Sequence, residues 1–509
     1  MNEQLDLFGF APSQYIIKKP IRLIELFAGI GAQSKALEVL KANFESYKIA
    51  EWSKESIKAY TYIHHYEEIK NCNDKEITSL NGISRNYNEP MTKEQINNLK
   101  EDEKILLTNC KKITHNLIDI SKVKGEDLNI VDTNKYEYIL TFSFPCTDLS
   151  LAGKGLGMEE GSGTRSSLLW EVERLLKECE NKPQILLMEN VPQVIGTKNK
   201  SSFHKFMKRL EDLGYKNFVK VLNAKDFYIP QNRQRCFMVS ILTKEDVFSF
   251  PNKMKLDYYL LDFLDKEVDE KYYLSDKMIN FFNENSIKQK EKGNGFQFKP
   301  TTRNVVAKTI TTRSDSRMDD NFIICKNKRL NETLEKIDNV NEVPLFLDTY
   351  NQKTHSKIVG TITTRVSSSN NSFLLVPENT KKGYAEAKVG DGVYINRPQQ
   401  KRGVVQKGMI QTIKTSCDDI GVVVNKPNFL TKHLRIRKLT PCECYKLMGF
   451  TKTDYERCAK IQSNATIYHQ AGDSIVVTIL IAIFGKLLGI DYEKVIKNYV
   501  KGEILNENL

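Results

Sequence analysis

Four apolar runs in the first half of the chain are each followed, within six residues, by a glycine, a cysteine or a charged residue. The runs cover residues 21–26, 47–50, 136–140 and 184–188, and each has the length of a buried strand. The first leads through a glycine turn into a helical pattern that begins at Ala32. Strands and helices in this order predict an open α/β sheet, and such sheets bind ligands beyond the carboxyl ends of their strands. The residues that follow each run are therefore the candidate site.

The third run leads into residues 141–146, which end in Pro145-Cys146 and place a thiol at the tip of the strand. Five glycines follow between residues 153 and 163, a density typical of a loop that closes over a substrate. This pattern predicts that Cys146 is a nucleophile. The alternative is that Cys146 is a small core residue, as most cysteines in cytosolic proteins are.

The first run ends in the turn 27–31 (FAGIG), whose glycines let the backbone approach a ligand closely. About 20 residues further on, where a ribose-binding carboxylate is expected, the second run ends in Glu51-Trp52. The carboxylate suits a ribose diol, and the indole offers a flat face to an adenine. The pattern predicts a nucleoside-binding turn, although it lacks the third glycine of a dinucleotide site. A purely structural turn is the alternative.

Further polar groups follow the later apolar segments. Glu189 ends the fourth run, and loss of hydration in such surroundings raises a carboxyl pKa, so that Glu189 would hold a proton near neutrality. Gln231, Arg233 and Arg235 share one face of a later strand because they are spaced by two. Arginines in that arrangement suit a phosphate or a base carbonyl, whereas solvated arginines on a surface strand are the alternative.

These signals stand in the order typical of the DNA (cytosine-5) methyltransferases, and the chain resembles that family closely. Two segments near the end, 437–450 and 470–477, resemble the last two motifs of the family. The resemblance covers residues 21–244 and 426–490, with Ala32 where a glycine is usual and Asp473 where asparagine is usual. It implies an α/β fold, a Rossmann-like mixed-sheet methyltransferase core with an inserted β-rich target recognition domain.

The resemblance also implies a mechanism. Cys146 would add to C6 of a cytosine that has been swung out of the DNA duplex, while Glu189 supports charge at N3. Arg233 and Arg235 would hold the base carbonyl or a phosphate and would lower the pKa of the thiol. These four residues are the expected catalytic group, and Gln231 is expected to contact the substrate.

The cofactor implied by the resemblance is S-adenosylmethionine. Asp119 matches the acidic residue of the family near the adenine, and Leu168 stands where the family contacts cofactor with an apolar side chain. An ordinary strand-end aspartate and a core leucine are the alternatives for these two positions. The expected cofactor contacts are Phe27, Gly29, Ile30, Gly31, Glu51, Trp52, Asp119, Ile120, Pro145, Leu168, Asp473 and Ser474.

Position within the family predicts the domain organisation. A tail (1–20) precedes the catalytic domain (21–244), which carries a polar insertion at 66–115 that reads as a surface elaboration. A target recognition domain (245–425) and a C-terminal segment that completes the catalytic domain (426–509) follow. The middle contains TITTR at 309–313 and at 361–365 and TIKT at 412–415, which predict three strand–turn–strand units. We expect Arg313 and Arg365 to contact DNA; repeats that act only as a scaffold are the alternative.

Composition favours an anionic partner. The 509 residues carry a formal net charge of +12, and residues 291–425 contain 21 Lys and Arg against 14 Asp and Glu. Nucleic acid is the natural partner for that surplus, and the family resemblance implies double-stranded DNA. The ten cysteines include no Cys-x-x-Cys pair, so no metal site is expected. We also expect a monomer in the bacterial cytoplasm, near the nucleoid, with no membrane association.

The N-terminal tail contains the pentapeptide 4–8 (QLDLF), which resembles the motif by which bacterial repair proteins bind the sliding clamp. An apolar tail packed on the catalytic domain is the alternative interpretation of Gln4–Phe8.

Four other classes of protein share features with this chain. An RNA cytosine-5 methyltransferase shares the core, but the long inserted middle favours sequence recognition on duplex DNA. A catalytically silent DNA-binding protein would be expected to lose the nucleophile, which this chain keeps. A nicotinamide oxidoreductase has no need of the thiol, and an amino-group methyltransferase would show a Pro-Pro motif that this sequence lacks. The expected activity is sequence-specific DNA cytosine-5 methylation in a restriction–modification or anti-restriction context.

Overall fold

The computed structural model describes residues 14–85, 87–146, 148–149, 157–293, 297–300, 305–312, 317, 320–326 and 434–505, with short strands and turns between 346 and 422. Two compact units divide the chain. The first comprises Met1–Val268, Thr301–Asn321 and Lys438–Leu509, and the second comprises Asp269–Pro300 and Phe322–Arg437. The predicted domain 245–425 has different bounds, since residues 301–321 belong to the first unit.

A six-stranded mixed sheet organises the first unit. Its strands are β1 (Ile21–Leu26), β2 (Phe44–Ala50), β3 (Glu137–Phe142), β4 (Ile185–Asn190), β5 (Tyr215–Asn223) and β7 (Gln234–Leu242), in the order β2-β1-β3-β4-β7-β5. The first four strands run parallel, and β7 is antiparallel to both β4 and β5. The chain moves from β1 to β2 on one side and to β3 on the other, which creates a crevice at the carboxyl ends of these strands.

Helices cover both faces of this sheet. The N-terminal half contributes α1 (Ala32–Val39), α2 (Lys54–His64), α3 (Tyr66–Lys70), α4 (Lys93–Asn97), α5 (Glu101–Ile113), α6 (Leu169–Glu178) and α7 (Lys200–Asp212). The C-terminal segment returns to the same unit as α9 (Pro441–Leu447), α10 (Lys452–Ala459), α11 (Asn464–Asp473), α12 (Val477–Leu488) and α13 (Tyr492–Tyr499). This C-terminal segment is the part of the chain that we predicted to complete the catalytic domain.

The insertion 66–115 is more than a polar surface elaboration. Its helices α3 and α5 enclose a small core of their own that includes Ile69, Leu80, Ile83 and Leu107, all buried. This core packs against α2 through Ile57. The apolar positions are spread too thinly through the polar sequence to have signalled it.

The first unit also incorporates a strand from the middle of the chain. The short strands β6 (Gln231–Asn232) and β8 (Ala307–Lys308) pair in parallel, and the Thr309 hydroxyl donates to the carbonyl of Asn232 at 2.7 Å. The described part of the first TITTR copy therefore packs with the catalytic core rather than with the second unit. The other two copies, Arg313 and Arg365 lie outside the described residues.

The second unit contains α8 (Asp276–Glu291) and short strands. These are β9 (Phe322–Lys326), β10 (Phe346–Asp348), β11 (Lys353–His355), β12 (Leu374–Pro377), β13 (Tyr384–Ala387), β14 (Gly392–Tyr394), β15 (Val405–Gln406), β16 (Ile420–Val422) and β17 (Leu434–Lys438). Most of them form antiparallel pairs, as β12–β13 and β14–β16 do. The β-rich character expected of the inserted region is present in the described strands.

Within the described residues, one stretch, Asn464–Leu488, is long and apolar enough to span a membrane. It is divided into α11 and α12, and 78% of its most apolar window is buried inside the protein. Burial of this kind is typical of core helices.

Candidate functional site

The turn after β1 forms an open cradle at the edge of the sheet. Gly29 and Gly31 have φ angles of +57° and +77°, a region that side chains with a Cβ rarely adopt. A Cβ built on Gly29 would meet nothing within 4 Å, so there is free space beside the backbone at this point. The amide of Phe27 donates to the carbonyl of Ala50 at 2.8 Å, which ties the turn to the end of β2. Ile30, the remaining predicted contact of the turn, is buried.

Glu51 faces this turn from the end of β2. Its Oε2 accepts from the amide of Gly29 at 2.9 Å, and its Oε1 accepts from the amide of Ser53 at 2.7 Å. Asn116 fixes the backbone of Glu51 by donating to its carbonyl at 2.9 Å and accepting from its amide at 3.0 Å. Burial raises the pKa of Glu51 to about 7, although the two amide donors act in the opposite direction. This buried carboxylate can ionise or accept a proton near neutrality.

The other predicted cofactor residues surround the same edge. Trp52 is partly buried against the core of the insertion, and Leu168 is partly buried at the start of α6. Asp119 accepts from the hydroxyl of Ser121 at 2.7 Å, and it lies beside the buried Ile120. Of the predicted cofactor residues, Gly29 and Glu51 are joined by a hydrogen bond at the carboxyl ends of β1 and β2. The free space at Gly29 and the buried carboxylate of Glu51 fit the adenosyl portion of S-adenosylmethionine.

The backbone around Cys146 is held from both sides. The Asn190 amide group donates to the carbonyl of Phe144 at 2.9 Å, and the Ser166 hydroxyl donates to the carbonyl of Pro145 at 2.6 Å. The carbonyl of Cys146 itself accepts from the amide of Leu149 at 3.0 Å. The backbone of Cys146 is therefore held at the end of β3, and its partly buried side chain packs against the core of the first unit.

Burial and three neighbouring charged side chains act on the pKa of the Cys146 thiol. Burial raises its pKa above the ordinary range, while Arg235 and Arg233 lower it and Glu189 raises it further. The expectation that the arginines lower the thiol pKa is right in direction, but the cost of burial outweighs them.

Glu189 and Arg235 form an ion pair beside this thiol. Asn190 of β4 lies opposite Cys236 of the antiparallel strand β7, which brings the last residues of β4 next to the first residues of β7. The Arg235 Nε lies 3.1 Å from Oε1 of Glu189, whose side chain is almost completely buried. Burial raises the pKa of Glu189, and the positive charges of Arg235 and Arg233 offset part of that effect. The carboxyl group of Glu189, the guanidinium of Arg235 and the thiol of Cys146 thus meet at the ends of β4, β7 and β3.

Arg233 has a different environment from the one predicted for it. Its guanidinium is buried and donates to the carbonyls of Ile310 at 2.8 Å, Gly472 at 2.8 Å and Ser474 at 2.7 Å. Burial lowers its pKa to about 9. Its terminal nitrogens donate to three carbonyls in two backbone segments, so Arg233 serves to hold those segments together beside the site.

Gln231 is likewise a structural bridge. Its Nε2 donates to the carbonyl of Leu447 at 2.7 Å, and its Oε1 accepts from the amide of Ile310 at 3.0 Å. The side chain is fully buried, so it offers no free group to a substrate. The shared strand face that was expected for residues 231, 233 and 235 is also absent, because β6 ends before Arg233 and β7 begins after it.

Replacing Arg233 by methionine is expected to lower the free energy of unfolding by about 3 kcal/mol, because three buried carbonyls lose their donor. Urea denaturation of the purified protein would measure the loss. Arg165→Met is the matched control, since the Arg165 guanidinium donates at the surface, to Oδ1 of Asn88 at 3.1 Å. An unchanged urea midpoint in the Arg233→Met protein would contradict this role.

The end of α11 joins the two halves of the site. Asp473 raises the pKa values of Glu51, Cys146 and Glu189 through its charge, so its carboxylate lies among them. More than half of its side chain is exposed, and it pairs with His469 at 3.2 Å. The next residue, Ser474, is largely buried, and its carbonyl is one of the three that Arg233 holds.

Some residues of the site could not be found from the sequence. Tyr87 of the insertion stacks on His469 with ring centroids 4.2 Å apart, and Ser166 anchors Pro145, yet neither stands in a recognisable pattern. Two other residues could have been found from the sequence. Asn190 directly follows Glu189, and Asn116 begins the segment that contains Asp119. In the part of the chain that the structure describes, no three His, Cys, Asp or Glu side chains group as metal ligands would.

Comparison with known proteins places this geometry in a family. Type II methyltransferase M2.ScrFI of Lactococcus lactis subsp. cremoris is 36% identical over 272 residues, which are 51% of this chain and 72% of that protein. Orphan methyltransferase M.SssI of Spiroplasma monobiae is 38% identical over 271 residues, 50% of this chain and 68% of that protein. Orphan methyltransferase M.SPRI of Bacillus phage SPR is 24% identical over 508 residues, 92% of this chain and 97% of that protein.

The model of the C-5 cytosine-specific DNA methylases matches residues 92–489, which include Cys146, Glu189 and Asp473. The mixed sheet with its three antiparallel-paired strands at one edge agrees with the Rossmann-like methyltransferase core that the resemblance implied. The chain is therefore a methyltransferase with S-adenosylmethionine as its methyl donor, and it belongs to the C-5 cytosine-specific DNA methylase family.

Proposed function

We propose that this protein methylates C5 of a cytosine in a specific sequence of double-stranded DNA, through a covalent bond between the base and Cys146. The observation that carries the proposal is the ion pair between the buried Glu189 and Arg235. It lies beside the thiol of Cys146, whose backbone is held through Pro145. C5 of cytosine is too weak a nucleophile to accept a methyl group unaided, so the ring must first be activated. These three side chains are the groups that such activation requires.

In the first step the sulfur of Cys146 forms a bond to C6, and the C5–C6 electrons move toward N3. Glu189, whose pKa is raised by burial, donates the proton that N3 takes in this step and becomes a carboxylate beside Arg235. Arg235 holds Glu189 in place and lies where it can donate to the base carbonyl. The thiol must lose its proton as the base enters, since burial keeps its pKa raised in the free protein.

The bound methyl donor supplies a methyl group to C5 once the ring has been activated. Water then takes the C5 proton, the C5–H electrons re-form the C5–C6 double bond and expel the sulfur of Cys146 as a thiolate, and N3 returns its proton to Glu189. On this protein the turn 27–31 and Glu51 would hold the adenosyl portion. Each carboxylate oxygen of Glu51 accepts one backbone amide and retains a further lone pair for a ribose hydroxyl. Trp52, Asp119, Ile120 and Leu168 would line the adenine side, with Pro145, Asp473 and Ser474 facing the reactive end.

Attack at C6 requires that the cytosine leave the base stack, so we propose base flipping into the crevice above β3 and β4. The second unit, with its short antiparallel strands, is proposed as the target recognition domain. Arg313 and Arg365 remain candidates for DNA contacts, to phosphates or base edges. Gln231 and Arg233 act behind the site, as positioning residues.

The proposed setting is a bacterial cytoplasm, near the nucleoid, where a monomer would act on chromosomal or plasmid DNA. The relatives M2.ScrFI and M.SssI are named as a type II and an orphan methyltransferase, so both a restriction–modification role and a solitary role are consistent with them. Binding of the sliding clamp through Gln4–Phe8 stays a proposal, since those residues lie outside the described part of the chain.

The test is to express the chain in a bacterial strain without cytosine-5 methylation and to map 5-methylcytosine in plasmid DNA and in transfer RNA by bisulfite sequencing. We expect methylation in one recurrent DNA sequence and none above background in RNA. Methylation confined to RNA would support the RNA methyltransferase instead. Folded protein that binds S-adenosylmethionine but modifies neither nucleic acid would contradict the proposed activity.

A further inference from the structure

A buried histidine lies directly behind the glycine turn. His64, the last residue of α2, has 2% of its side chain exposed, and its Nε2 lies 3.0 Å from the carbonyl oxygen of Ile30. A Cβ built on Gly31 would overlap the His64 ring, so the turn and the imidazole are in direct contact. The residue was not among the candidates from the sequence, where it is one of two adjacent histidines.

Hydrogen-bond chemistry fixes the protonation of this ring. A carbonyl oxygen only accepts, so Nε2 must carry a proton to bond with Ile30. On the other side Nδ1 lies 2.6 Å from Oε1 of Glu38, a carboxylate that also accepts. Both nitrogens therefore carry protons, and His64 is an imidazolium ion. Its pKa is raised, because the attraction of Glu38 outweighs the cost of burial.

The surrounding charges sustain this state. On α1, Glu38 faces the ring, and Lys35 pairs with both Glu38 and Asp454 of α10. On β1, Glu25 is fully buried and accepts from Tyr60 and from the Ser34 hydroxyl, and burial raises its pKa. Lys35 opposes the positive charge on the ring, whereas Glu38 and Glu25 favour it.

We propose that His64 is a positioning residue that holds the cofactor turn in its binding conformation and makes the affinity for S-adenosylmethionine depend on its proton. A neutral ring has one N–H group and one nitrogen with a lone pair, so it can donate to only one of its two acceptors. Either Ile30 or Glu38 then loses its hydrogen bond, and the turn is held less firmly. The inference rests on the proposed assignment of residues 27–31 and Glu51 to the cofactor.

The expected pH dependence has two limbs. Affinity rises as Glu51, with a pKa of about 7, ionises and binds the ribose hydroxyls more strongly. Affinity falls on the alkaline side, as pH passes the raised pKa of His64 and the imidazolium is lost. Isothermal titration calorimetry of the whole protein with S-adenosylmethionine, without DNA, would record both limbs.

Three variants separate the contributions. His64→Leu removes both donors and is expected to weaken binding about tenfold at pH 6.5, the loss of one hydrogen bond to a charged donor. His64→Gln keeps one donor toward Ile30 and cannot titrate, so binding at pH 6.5 stays within about threefold and the alkaline limb disappears. Glu38→Gln leaves the ring in place but removes its anionic partner, which moves the alkaline limb to lower pH and serves if the leucine variant fails to fold.

His65→Gln is the matched control, because the Nδ1 of that neighbouring histidine pairs with Glu68 of α3 at 3.1 Å instead of with Glu38. Titration of the ligand is common to all proteins and cancels when variants are compared. Wild-type affinity at pH 6.5 in His64→Leu would overturn the inference. An unchanged alkaline limb in His64→Gln would also overturn it. If Glu51→Gln weakens binding in the same experiment, only the role of His64 falls; if it does not, the assignment of the turn falls with it.

Discussion

Replacing Cys146 by serine is expected to reduce methyl transfer by about 10⁴-fold or more while leaving affinity for S-adenosylmethionine nearly unchanged. A hydroxyl is far less acidic than a thiol and a much weaker nucleophile toward C6, and a buried site penalises its ionised form further. The backbone contacts that hold the loop involve Phe144, Pro145 and the carbonyl of residue 146, so the substitution keeps them. Single-turnover transfer of labelled methyl groups to a duplex oligonucleotide, with calorimetry for the cofactor, would measure both quantities.

Cys72→Ser is the matched control for the loss of a thiol, because Cys72 is a free, partly buried cysteine that follows α3 and lies outside the site. Its activity should equal that of the wild type. An oligonucleotide with 5-fluorocytosine at the target position offers a second readout, since fluorine at C5 prevents the elimination that releases the sulfur. The wild-type protein should form a denaturation-resistant adduct at residue 146. Turnover above a tenth of the wild-type rate in Cys146→Ser would refute the covalent role.

Much of the site was predictable because its chemistry lies at the ends of strands. The turn 27–31, Glu51, Cys146 and Glu189 each follow an apolar run, and the parallel strands β1 to β4 bring those run ends to one edge. Local sequence is sufficient in such cases, since strand length and hydrophobicity determine where each run ends. The family resemblance then supplied the roles that chemistry alone left open.

Contacts between distant segments were beyond the reach of the sequence. Nothing local to Arg233 shows that its partners are the carbonyls of residues 310, 472 and 474, and the same holds for Gln231 with residues 310 and 447. A buried arginine that holds three backbone carbonyls and an arginine that holds a phosphate have the same sequence pattern. Burial distinguishes them, and burial depends on the complete fold.

Replacing Glu189 by glutamine is expected to lower the rate of methyl transfer by about 10²- to 10³-fold, the usual contribution of a positioned acid. The amide keeps the shape of the side chain but cannot deliver a proton to N3. In the wild-type protein the rate should fall as pH rises through the raised pKa of Glu189, because the proton-bearing form is the active one. That fall should be absent from the variant. Glu180→Gln, an exposed glutamate just beyond α6, is the matched control.

The same substitution should make the protein more stable at neutral and alkaline pH. A carboxyl whose pKa is raised on folding binds its proton more tightly in the folded state, so stability is lost as pH rises from the unfolded pKa through the folded pKa. Glutamine has no such proton, and the variant should therefore unfold at a higher urea concentration than the wild type at pH 8 but not at pH 4. This opposite movement of activity and stability is expected of a group kept for chemistry rather than for folding. A variant that retained wild-type rate and pH profile, or that lost stability at pH 8, would show that Glu189 serves the fold.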